Sequence, residues 1–189
     1  MVKEDKSKYN KFRVTKKKKE SAPMFEVDAA GYRAQMAEMK PVKVVYEIIA
    51  NANDEDSVKN FSLNIQWVDK EIHIAYQDDG AGYKKVSDVW TMYGHSERRS
   101  DPTKSGRFNL GEKEFLVLAR YAEIETFDRK EKRRRKFVFE NNTRTENDVG
   151  EDSSDSGTTI YAEFDRWSKE QYYEICKDIK NIYVKPNKT

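Results

Sequence analysis

The chain has 189 residues, enough for one domain with a sheet and a layer of helices around a single core. Charged residues make up 37% of it, yet the net charge is only +2, which argues against a nucleic-acid binder whose affinity rests on overall charge. A single cysteine excludes an internal disulfide and a multi-cysteine metal site, and no run approaches the ~20 apolar residues of a bilayer span or the apolar core of a signal peptide, so the chain reads as soluble, cytoplasmic and without a membrane partner.

Residues 1–22 are lysine-rich without a sustained period, and are expected to form a basic flexible arm whose Lys16–Lys19 run could touch phosphate backbones. Residues 23–189 read as a single domain. Asp28 can cap a helix running to about Met39, with Tyr32, Met36 and Met39 or Ala29 on one side. Pro41 then opens a second helix from a favoured first-turn position. At 100° per residue Glu47, Asn51 and Asp54 fall within about 60° of one another, while Val45, Ile48, Ile49 and Ala52 gather on the far side. The apolar face can dock on a sheet. The other presents two carboxylates and an amide to a hydrated metal ion and phosphates.

Phe61, Leu63, Ile65 and Trp67 alternate with polar residues, and Ile72, Ile74 and Tyr76 repeat the pattern after an Asp69-Lys70 turn, which predicts an antiparallel hairpin with one buried face. Its second strand runs into Asp78, Asp79, Gly80, Ala81 and Gly82, where paired glycines allow a tight turn close to a ligand. A short helix over about Lys85–Tyr93 leads to a long polar, glycine-bearing loop, and loops of that length are usually functional or mobile. A helix starting near Leu110 follows, then a strand through Ala122, Ile124 and Thr126, a basic turn over Arg129–Lys136, and a strand around Lys136–Glu140. Asn141–Ser156 is acidic and serine-rich and is expected to be floppy. Gly157 and Thr158 open a last strand, and Ser168 with Gln171 forms a capping box for a helix from about residue 168 carrying Tyr172, Ile175, Cys176, Ile179, Ile182 and Tyr183 as an apolar stripe. Cys176 is expected to be a buried, inert thiol. This order suggests an α+β fold, a two-layer α/β sandwich with helices on one face of a mostly antiparallel sheet.

Four segments carry a further signal: EIIANAND (Glu47–Asp54), DDGAG (Asp78–Gly82), GRFNLGEK (Gly106–Lys113) and GTTIYAEF (Gly157–Phe164). In that order they resemble the four boxes of the GHKL ATPases, the superfamily of DNA gyrase, the ninety-kilodalton heat-shock chaperone, sensor histidine kinases and MutL, whose nucleotide-binding domain is the Bergerat fold. The resemblance covers roughly Phe25–Phe164 and implies ATP and Mg²⁺ as cofactors. Under it, Asn51 would give its side-chain oxygen to Mg²⁺, Glu47 would be the general base that orients and deprotonates the attacking water, and Asp54 would complete the polar face. Asp78 would accept a hydrogen bond from the adenine amino group, and Gly80 and Gly82 would let the chain wrap the base. Asp79 stands where asparagine is more usual. Gly106 and Gly111 match the outer glycines of a phosphate-binding lid, Asn109 replaces another, Lys113 could reach a phosphate, and Arg98, Arg99, Lys104 and Arg107 are lid candidates without an assigned role. Thr158 would hold a water against adenine.

The resemblance implies a slow, Mg²⁺-dependent ATPase whose lid closes on nucleotide and switches interaction with a protein partner or a second copy of the chain. His73 and His95 lie on no dimerisation helix, which argues against self-phosphorylation, and the stretch after Phe164 is short for the second domain of gyrase or MutL. The alternative is a non-hydrolysing module, nucleotide-dependent or nucleotide-free, contacting nucleic acid or protein through the basic arm and the Arg129–Lys136 turn.

Overall fold

In the computed structural model residues 28–92, 110–149 and 156–182 are described. Two short helices open this part of the chain. Helix α1 (Ala29–Met36) is capped by the Asp28 carboxylate, which accepts from the Ala30 and Gly31 N–H groups at 3.3 and 2.8 Å. It stops three residues before the expected Met39, because the residue before a proline avoids helical backbone and Lys40 is extended (φ −64°, ψ 126°). The amphipathic helix α2 (Pro41–Asp54) starts with that proline at its first position and buries Val44, Val45, Ile48, Ile49 and Ala52.

Among the described residues the sheet has six strands in the order β1-β2-β6-β3-β4-β5, every pair antiparallel: β1 (Phe61–Val68), β2 (Glu71–Asp78), β3 (Tyr121–Asp128), β4 (Arg133–Glu140), β5 (Thr143–Asp148) and β6 (Thr158–Phe164). Two of its hairpins turn on two residues of positive φ, Asp69 and Lys70 between β1 and β2, Asn141 and Asn142 between β4 and β5, as a tight turn matching the twist of a sheet requires. Strand β5 lies inside the stretch expected to be floppy. Its side chains over the helical layer are charged and are satisfied by partners that apolar periodicity cannot reveal: Arg144 stands 3.6 Å over the Trp90 ring, and Glu146 pairs with Arg135. The expected helix from Lys85 shrinks to one 3₁₀ turn, Val86–Val89, where the Ser87 carbonyl takes the Trp90 and Thr91 N–H groups and the Thr91 hydroxyl. Tyr93 lies outside the described residues.

One sheet face is dry. Ile72, Ile74, Ala122, Ile124, Phe137, Ile160, Ala162 and Phe164 pack with the apolar side of α2 and with Phe115 and Leu118 of helix α3 (Gly111–Leu118). Arg33 of α1 binds the carbonyls of Val117 and Ala119, fixing the end of α3. Helix α4 (Lys169–Ile179) has the expected capping box, since the Ser168 hydroxyl accepts from the Gln171 N–H and the Gln171 side chain from the Ser168 N–H. It packs on α2 and β1, with Ile175 fully buried but Cys176 only half-buried. Tyr183 lies outside the described residues. The opposite face of the sheet is polar, Ser62, Asn64 and Gln66 being exposed and His73 bonded to the Tyr161 hydroxyl at 2.8 Å. The architecture is therefore the two-layer α+β sandwich expected. Among the described residues no helix is long and apolar enough to cross a membrane.

Candidate functional site

A cavity of about 450 Å³ lies between α2, the end of β2, the start of β6 and the first turn of α3, within the usual size range of small-molecule sites. Its floor is apolar, with Ile48, Ala52, Val58 and Ile160 in the wall. Of the residues singled out from the sequence, Asn51, Asp78, Gly80, Gly82, Gly111 and Thr158 all line it. Gly106 lies outside the described residues, as do Asn109, Arg98, Arg99, Lys104, Arg107, His95 and the Lys16–Lys19 run.

The two adjacent aspartates at the end of β2 have separate tasks, because successive strand residues point to opposite sides. Asp79 turns out of the cavity and accepts from the Lys59 and Asn60 N–H groups and the Asn60 side chain at 2.7–2.9 Å, tying the strand end to the segment after α2. Asp78 turns in. Its Oδ1 accepts from the Gly80 N–H at 2.9 Å and the Thr158 N–H at 3.1 Å, and its Oδ2 from the Tyr76 hydroxyl at 2.8 Å. Burial pushes its carboxyl above the ordinary range, while those three donors pull it back toward the charged form. A carboxylate has about four acceptor positions, so one remains for a ligand. The Thr158 hydroxyl is engaged with that of Thr126 at 2.9 Å.

The turn after Asp78 is pinned from two sides. Ala81 donates to the Ser57 hydroxyl at 2.9 Å, Tyr83 donates to the Phe127 carbonyl at 3.0 Å, and Arg129 donates to the Tyr83 carbonyl at 3.1 Å. Gly82 sits at φ 73° with its Cα facing β3, where an added Cβ would stand 2.9 Å from the Phe127 Cβ and closer still to the Phe127 carbonyl oxygen. Gly82→Ala is therefore expected to lower stability by roughly 2–4 kcal/mol, measured by urea unfolding, since both the backbone angle and the contact with fixed main chain oppose a side chain.

Gly111, the first residue of α3, plays a different part. A Cβ there would stand 2.7 Å from the Glu47 Cβ, so the missing side chain is what lets the Glu47 carboxylate lie against the first turn of α3. Glu47 stands just behind the cavity wall rather than in it. Burial, then the nearby carboxylates of Glu114 and Asp54, push its carboxyl above the ordinary range, the direction that suits a general base. Asp54 is buried at 4% exposure and is likewise not in the wall.

Lys113 is not itself in the cavity wall, but both of its partners, Asp88 and Glu112, are. Its ammonium donates to the Asp88 carbonyl and lies 3.4 Å from Glu112, with the whole residue only 5% exposed. Glu112, in the wall, also accepts from the Tyr83 hydroxyl. Among the described residues the cations that line the cavity are Lys84, which the sequence did not single out, Lys85, the start of the expected short helix, and Arg129, the start of the basic run. The rest of that run is largely neutralised: Arg133 pairs with Glu131, Arg134 with Glu125, Arg135 with Glu131 and Glu146, and Lys136 with Glu123.

No protein-family model matches the sequence. No curated protein matches it either. Among solved structures the chain is similar to the ATPase and transducer domains of DNA topoisomerase II from Balamuthia mandrillaris, at 19% identity and a TM-score of 0.50. The fold is of the GHKL type. The similarity covers 66% of this chain and 37% of that one, so this chain spans little more than a third of its neighbour's length.

The groups of the cavity suit an adenine nucleotide: an apolar floor, an acceptor-only carboxylate with one position left, and three cations in the wall. Among the described residues no cluster of three or more His, Cys, Asp or Glu side chains could hold a metal alone. Mg²⁺ does not need one, since it keeps several waters and takes one or two protein oxygens alongside phosphates, and Asn51, whose side chain carries an amide oxygen, is among the lining residues.

Proposed function

We propose that this GHKL-type domain binds ATP with Mg²⁺ and hydrolyses it slowly, and that closure of the glycine-bearing segment before α3 on the nucleotide switches its contact with a protein partner or a second copy of the chain. The observation that carries the reading is Asp78, a half-buried carboxylate held by three donors with one acceptor position left in the wall of a cavity that also contains Asn51 and Gly111. An acceptor-only group selects the adenine amine over the carbonyl that guanine presents at the same edge. Gly80 and Gly82 bring main chain close to the base, and Thr158 holds the Asp78 carboxylate through its N–H. Asn51 supplies the protein oxygen for Mg²⁺, which when bound screens the phosphate charge. Glu47 takes the proton of the attacking water, with Asp54 beside it on the polar face of α2. Gly111 keeps main chain close to the phosphates at the start of α3, and Lys113 joins it by exchanging the Asp88 carbonyl for a phosphate.

Calorimetric titration with ATP, ADP and GTP, with and without Mg²⁺, tests the reading alongside a phosphate-release assay. ATP should bind in preference to GTP and be turned over only with Mg²⁺. Equal affinity for ATP and GTP, or binding of neither, would overturn it. A second reading, a nucleotide-dependent module without turnover, is favoured by the position of Glu47 behind the wall, and ATP binding without phosphate release would select it. Under either reading a contact of nucleic acid with basic residues of the cavity wall such as Lys85 and Arg129 should weaken steeply with added salt.

A further inference from the structure

We propose that Tyr76 is a specificity-determining residue of the same cavity, its hydroxyl oxygen and the Asp78 carboxylate together accepting both hydrogens of the ligand's exocyclic amine; the inference rests on the reading of the cavity as an adenine site. Tyr76 and Asp78 are two residues apart on β2 and so share the face turned toward the cavity, and both line it. The Tyr76 ring is held in the core at 4% exposure, against Phe61 at a centroid distance of 6.2 Å.

A phenol has one hydrogen to give and two acceptor positions. The hydrogen of Tyr76 goes to Asp78 Oδ2 at 2.8 Å, so what the hydroxyl has left to offer is acceptor only. Burial and the adjacent carboxylate keep the phenol protonated far above neutral pH, and the hydrogen bond to Asp78 fixes where that hydrogen points. The pair thus presents acceptors side by side. An aminopurine with two hydrogens on its exocyclic nitrogen matches it twice, whereas a purine with a carbonyl at that edge meets two acceptors and is rejected. A methyl group on the amine separates this arrangement from one with a single acceptor. With one acceptor the remaining hydrogen can still be used, and with two, one acceptor loses its partner.

The test is calorimetric titration of ATP, N6-methyl-ATP and inosine triphosphate into the wild type and Tyr76→Phe at fixed Mg²⁺. The wild type should prefer ATP to N6-methyl-ATP by about tenfold and bind inosine triphosphate more weakly still, and Tyr76→Phe should lose about tenfold for ATP while treating ATP and N6-methyl-ATP alike. If Tyr76 merely orients Asp78, the variant will lose affinity for both adenine ligands in the same proportion and keep the wild-type ratio, which overturns the inference; unchanged binding of both ligands overturns it equally. Should Tyr76→Phe fail to fold, equal wild-type affinity for ATP and N6-methyl-ATP still overturns it. Failure of the wild type to bind ATP at all is a separate outcome, in which the nucleotide reading falls and this inference with it.

Discussion

Asp78→Asn should weaken ATP binding about 100-fold and leave the domain folded. The amide oxygen can still take the Gly80 and Thr158 N–H groups, and the Tyr76 hydroxyl can rotate to accept from the new amide nitrogen in place of donating to the carboxylate. The internal contacts survive, but a donor now stands where the ligand amine needs an acceptor. Two donors facing each other lose the hydrogen bond and leave buried polar groups unpaired, a mismatch of roughly 2–3 kcal/mol or about two decades in affinity. The same exchange should raise the affinity for inosine triphosphate relative to ATP, because its carbonyl accepts what the amide offers. Titration calorimetry measures both, with far-UV circular dichroism as the control for folding. An asparagine variant that binds ATP like the wild type would remove Asp78 from the site.

Glu47→Gln should abolish turnover while ATP affinity changes by no more than a few-fold. General-base catalysis contributes about 10²–10⁴-fold, and glutamine keeps the shape of the side chain against Gly111 but cannot take a proton. The pH dependence of the wild type follows from the surroundings of Glu47. The carboxyl is pushed up by burial, and further by Glu114 and Asp54, so the acid limb of the rate profile should lie above the ordinary glutamate range, with activity rising as pH rises through it. Stability runs the other way. Between the unfolded and the raised folded pKa the native state binds more protons than the unfolded chain, so the contribution of Glu47 is favourable below that window and is lost as pH rises through it. Glu47→Gln, uncharged throughout, should therefore be more stable than the wild type at neutral pH and no more stable in acid. Urea unfolding at two pH values checks the sign, and a variant that still releases phosphate at the wild-type rate would dismiss Glu47 as the base.

The elements legible in the sequence are those in which apolar spacing decides the structure. Helix α2 buries Val45, Ile48, Ile49 and Ala52 as its wheel requires, and β1 with β2 follows the alternation from Phe61 to Tyr76. Strand β5 escaped because Arg144 and Glu146 are held by an aromatic face and an arginine rather than by apolar burial, although the Asn141-Asn142 pair, tolerant of positive φ, was a turn signal in plain view. Within the site, helix spacing singled out Asn51, and the paired glycines of the turn singled out Gly82, while Asp78 and Gly111 came from the resemblance to the four boxes; all four line the cavity. Direction was not legible. Nothing in the spacing of GEK shows that Lys113 reaches Asp88, nor that Tyr76, one member of an ordinary apolar alternation, gives its hydroxyl to Asp78. Arg129 was hidden in another way, since its place in the wall depends on main-chain bonds between two segments some forty-five residues apart, Tyr83 and the end of β3.

An adenine nucleotide should lie in the cavity between α2 and the end of β2. A crystal structure with Mg²⁺ and a non-hydrolysable ATP analogue tests that most directly. It should show the base amine on Asp78, Asn51 facing the metal, and the terminal phosphate near Gly111 and Glu47. An analogue seated elsewhere, or a base whose amine faces away from Asp78, would contradict it.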